Sequence, residues 1–62
     1  MTQNWTNEAK RRCAQREVAM RQRVYKKRVA DGSMSQDEAQ HEIELMQEIA
    51  SDYMKLEQQD AK

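Results

Sequence analysis

The sequence predicts an all-α fold: two long helices folded back on each other as an antiparallel hairpin. Three observations carry that prediction. Residues 1–31 hold nine Lys/Arg against three Asp/Glu, while residues 32–62 hold two against eight, so halves of +6 and −6 cancel to zero net charge. The only glycine, Gly32, sits at the boundary between the halves, and there is no proline. On either side of it the apolar residues recur at helical spacing. A basic helix, a tight turn and an acidic helix use all three facts.

Helix 1 is predicted over about residues 5–30. Asn4, Thr6 and Asn7 offer cap side chains at its start. Asp31-Gly32 supplies a left-handed stop, and Lys26, Lys27 and Arg28 place positive charge on the last turns, where it complements the helix dipole. The turn is predicted at 31–34. Helix 2 is predicted from Ser35 to about residue 58, with 59–62 fraying. Ser35-Gln36-Asp37-Glu38 reads as a capping box, and Met34 is placed to staple onto Ala39.

Hydrophobic residues make up 37% of the chain, charged residues 35%, and mean hydropathy is −1.24. That composition borders on the disordered class, but periodicity and the wealth of helix-forming residues favour helix. The 62 residues form one domain at most. A lone core of this size rarely supplies more than about 3–5 kcal/mol without staples or oligomerisation.

At about 100° per residue, each helix carries two apolar columns. On helix 1 these are Cys13, Met20 and Val24, and then Ala14, Val18, Tyr25 and Val29. On helix 2 they are Leu45, Ile49 and Leu56, and then Ala39, Ile43, Met46, Ala50 and Met54, with Tyr53 between the columns. One partner helix covers only part of so wide an arc, so the hairpin is expected to homodimerise into a four-helix bundle. Val18, Met20, Val24, Tyr25, Ile43, Met46, Ile49, Ala50 and Tyr53 are the expected core and dimer residues. Folding about the turn brings Arg21 near Glu42, one turn from Glu17, and this trio is expected to fix register without adding much stability.

Catalytic and metal chemistry find little support. The single Cys13 and single His41 fall on different helices at different levels, so a nucleophile–base pair is not expected. Cys13 reads as a small apolar core residue. Glu38-x-x-His41 matches a spacing by which helical bundles hold metals, but His41 points about 160° away from the apolar face. No catalytic residue, metal site or cofactor is therefore expected. The lone cysteine suits a reducing cytoplasm. No apolar run approaches the roughly 18–20 residues of a membrane span, and the N-terminus does not read as a signal peptide, so no membrane association is expected.

Arg12, Arg16, Arg23, Lys26 and Lys27 fall within about 100° on the outer face of helix 1, over roughly 22 Å. This stripe suits an acidic protein surface or nucleic-acid phosphates, although a solvated outer face has the same pattern. Zero net charge, the acidic second helix and few aromatics weigh against nucleic acid. Trp5 precedes the periodic region and is either a lid over the open end of the bundle, the favoured reading, or an exposed partner anchor.

The segment Arg16-Glu17-Val18-Ala19-Met20-Arg21 with Val24-Tyr25, the turn Gly32-Ser33-Met34-Ser35, the run Glu42-Ile43-Glu44-Leu45-Met46 and the close at Asp52-Tyr53 resemble a pattern of small prophage and temperate-phage proteins. In that pattern Pro often follows the Tyr. Lys26 stands there in this chain, so helix 1 is expected to run on smoothly. The resemblance implies a phage accessory protein and assigns no site residue. The resulting expectation is a small non-enzymatic protein-binding module that modulates or inhibits a host protein in the host cytoplasm. The alternative is a nucleic-acid-binding regulator using the stripe. Arg12, Arg16, Arg23, Lys26, Lys27 and Trp5 are the candidate partner-binding residues.

Overall fold

The computed structural model describes residues 4–60, which form two helices. These are α1, Asn7–Asp31, and α2, Gln36–Asp60, each of 25 residues. Thr6 caps α1 in extended backbone, and its hydroxyl accepts from the Ala9 N–H at 3.0 Å. Helix 1 therefore starts two residues later than the predicted residue 5. It runs unbroken through Lys26.

At the other end Gly32 takes φ +84°, the left-handed conformation that only glycine adopts freely. Its N–H donates to the Val29 carbonyl and that of Ser33 to the Arg28 carbonyl, closing the last turn as a Schellman motif does. The Asp31 carboxylate also accepts from the Ser33 N–H at 2.9 Å. The Ser33 side chain, and after it that backbone bond, hold the Asp31 carboxyl below its usual range.

Helix 2 begins as the capping residues dictate, with the Glu38 N–H donating to the Ser35 hydroxyl at 3.0 Å. Only this half of the predicted capping box forms, as no bond returns from Glu38 to Ser35 among the described residues. Ser35 is thus the cap and Gln36 the first helical residue. At its far end α2 extends to Asp60, past the predicted residue 58, and Asp60 accepts from the Asn7 amide at 2.8 Å. Of the segment expected to fray, residues 61–62 lie outside the described residues.

The seam between the helices is built on small side chains. Among the described residues Ala14, Ala39 and Ala50 are the buried ones, at 4%, 7% and 7% exposure. Val18, Val24, Tyr25, Ile43, Met46 and Tyr53 flank them half-buried. Alanine lets the helices approach closely but removes little apolar area from water. The molecule measures 45 × 26 × 14 Å, a slab one helix thick. Its 5212 Å² of accessible surface exceeds by roughly 1,000 Å² the ~4,200 Å² expected of a compact protein of this mass. Domains ordinarily pack two layers around a core; this hairpin supplies one.

Candidate interaction surface

Antiparallel pairing decides which columns share a side. Helical position and the groove-lining residues place Cys13, Met20 and Val24 of α1 on the same broad face as Leu45, Ile49 and Leu56 of α2. Among the described residues, five of the six exposed large hydrophobic residues belong to it: Trp5 at 66%, Leu45 at 48%, Met20 at 42%, Leu56 at 41% and Ile49 at 36%. The sixth, Met54 at 40%, lies on the opposite face, which is lined by Gln15, Gln22, Gln36, Gln40 and Gln47. One side of the slab is apolar and the other glutamine-rich.

The apolar side carries an open groove of about 510 Å³. Trp5, Ala9, Cys13, Ile49 and Tyr53 line it, with Lys10 and Arg16 at its rim. The Lys10 ammonium sits 5.5 Å above the Tyr53 ring, a cation–π contact. At the turn end the Arg28 guanidinium lies 6.0 Å from the Tyr25 ring. Trp5 borders the groove without closing it. Cys13, expected in the core, is exposed in the hairpin because its column faces outward from the seam.

Of the expected register-fixing trio, Arg21 and Glu17 pair at 3.0 Å and are partly buried. Arg21 does reach α2, but its second donor goes to the backbone carbonyl of Glu42 at 2.9 Å and not to the carboxylate. The cross-helix tie is therefore indifferent to the Glu42 side chain. Sequence reasoning passed over the stronger tie, a forked pair of Arg11 with Glu57 at 2.6 and 3.1 Å. Arg11 also donates to Gln15. The hydrogen bond holds the Glu57 carboxyl below its ordinary value and raises the Arg11 guanidinium further. The antiparallel register that sets Arg21 beside residue 42 puts Arg11 level with residue 52, about 7.5 Å short of Glu57, a gap that the long arginine and glutamate side chains span. That was the available signal, masked by the number of other arginines on α1.

The basic stripe is exposed along its whole length, through Arg12, Arg16, Arg23, Lys26 and Lys27; Arg16 borders the apolar groove and Lys26 the groove on the glutamine-rich face. Arg12 makes a long 3.7 Å contact with Glu8, a surface pair of little energetic weight. His41 is exposed on the outer side of α2, about 12 Å along the helix from the Ile49 level at which Cys13 sits. Among the described residues no helix is long and apolar enough to cross a membrane, and no group of three metal-ligating side chains gathers.

Compared with protein-family models, curated proteins and solved structures, the chain matches none of them.

Proposed function

We propose that the hairpin is a non-enzymatic protein-binding module. In this reading it self-associates through its apolar face and engages an acidic surface of another protein through the basic stripe of α1. A phage-encoded modulator or inhibitor of a host protein, working in the host cytoplasm, would act in this way. The observation that carries the reading is the gathering of Trp5, Met20, Leu45, Ile49 and Leu56 on one side of a single-layer slab. Contiguous exposed apolar surface of this kind marks a protein-interaction site. Affinity capture from host cytoplasm, run with the native chain and with an Arg12→Glu, Arg23→Glu, Lys26→Glu variant, tests it. A specific partner held by the first and lost by the second is the expected result. Equal recovery by both would remove the stripe from the binding surface.

The exposure of all five stripe cations on one continuous face supports a second reading, nucleic-acid binding. Phosphate contacts lose affinity steeply as salt rises. Titrating DNA and RNA binding between low and physiological salt therefore separates the two readings.

A further inference from the structure

We infer that a second copy of this chain covers the apolar face with both turns at the same end of the bundle, α1 of each protomer lying over α2 of the other. The inference rests on the self-association proposed above and adds its topology, which the charge pattern selects. Two slabs stacked face to face about a twofold axis have two arrangements. With the axis across the helices, α1 lies over α1 and the turns point to opposite ends. With the axis along the helices, α1 lies over α2 and the turns coincide.

The edges of the apolar face distinguish these. On α1 the outer edge carries Arg16 and Lys27, and on α2 it carries Glu38 and Asp52. Stacking α1 on α1 sets the +6 half against itself and the −6 half against itself. Stacking α1 on α2 sets unlike edges together at matching heights. Within the hairpin Arg11 bonds Glu57 and Arg21 bonds the Glu42 carbonyl. These two ties bracket the register, setting Arg16 between the levels of residues 47 and 52, beside Glu48 and Asp52, and Lys27 between those of 36 and 41, near Glu38. With the axis along the helices the partner's α2 has these same levels, and Arg16 meets Asp52 of the partner subunit at the same corner. Met20 then lies over Leu45 of the partner subunit. Cys13, exposed in the lone hairpin, lies between Ile49 and Leu56 of the partner subunit. The area agrees. The roughly 1,000 Å² by which each hairpin exceeds a compact protein of its mass is of the size each partner contributes to a stable dimer, about 600–1,000 Å².

The test combines mass with one distance. Sedimentation equilibrium of the native chain is expected to give twice the 7.4 kDa chain mass. A nitroxide at Ser33→Cys in a Cys13→Ser background is then read by electron–electron dipolar spectroscopy. Turns at the same end give a separation under about 30 Å, whereas opposite ends give roughly the length of a 25-residue helix or more, beyond about 37 Å. A dimer with the long distance overturns the topology and leaves self-association standing. Monomer mass with helicity intact overturns both. If labelling itself dissociates the protein, a charge exchange decides in its place. Arg16→Glu should weaken the dimer by about fivefold at low salt, and adding Asp52→Lys should restore it. With α1 over α1, Arg16→Glu would relieve repulsion and tighten the dimer, which refutes the inference.

Discussion

Replacing Leu45 with Gln probes whether the apolar face is an interface at all. Leu45 is 48% exposed in the hairpin and stands near the middle of that face. Complete burial of a leucine side chain is favourable by about 1.5–3 kcal/mol, so covering the remaining half is worth roughly 0.7–1.5 kcal/mol per protomer. Two copies meet in a dimer, which gives roughly 1.5–3 kcal/mol in all, a ten- to hundredfold weaker Kd at about 1.4 kcal/mol per decade. Gln has nearly the helix propensity of Leu, so the monomer should keep its helical content. The matched control is Met54→Gln, at 40% exposure on the glutamine-rich face, which should leave the Kd within about twofold. Sedimentation equilibrium across a dilution series, with circular dichroism on the same samples, reads both effects. Equal weakening by the two variants would show that the interface does not distinguish the faces. No weakening by Leu45→Gln would remove this face from self-association.

Other outcomes follow from the ends and ties of the helices. Ser35→Ala removes the acceptor of the Glu38 N–H and should cost about 0.5–2 kcal/mol in chemical denaturation, while Ser33→Ala should cost much less; equal losses would mean that the cap is misplaced. Gly32→Ala meets no neighbouring atom, so its cost should be the left-handed strain alone, about 1–2 kcal/mol. Because hydrogen bonds lower the Glu57 and Asp31 carboxyls, their contribution is complete above the ordinary carboxylate range and is lost as pH falls through the lowered values. Acid titration of stability should therefore show a loss below about pH 4, with Glu57→Gln flattening part of it. An unchanged acid limb in that variant would place the dependence elsewhere.

The sequence by itself determined the hairpin, because the signals for it are local. The Ser35 hydroxyl reaches a backbone N–H three residues on, and Gly32 alone can adopt the left-handed stop. The 3.6-residue period needs no partner to be visible, and neither does the division of charge into a basic and an acidic helix. Helix boundaries shifted by one or two residues because one cap among several had to be chosen, and Thr6 was decided by its bond to Ala9. What only the tertiary structure decided was sidedness. Each helix showed two apolar columns, but which column enters the seam depends on how closely the two backbones approach. The three alanines permit that approach along one line and turn Cys13, Met20, Leu45, Ile49 and Leu56 outward together. The same long-range pairing chose Arg11 with Glu57 and sent Arg21 to a backbone carbonyl in place of a carboxylate. Those choices depend on the height and azimuth of one helix against the other, quantities fixed by packing across residues some 20 to 50 apart in the chain.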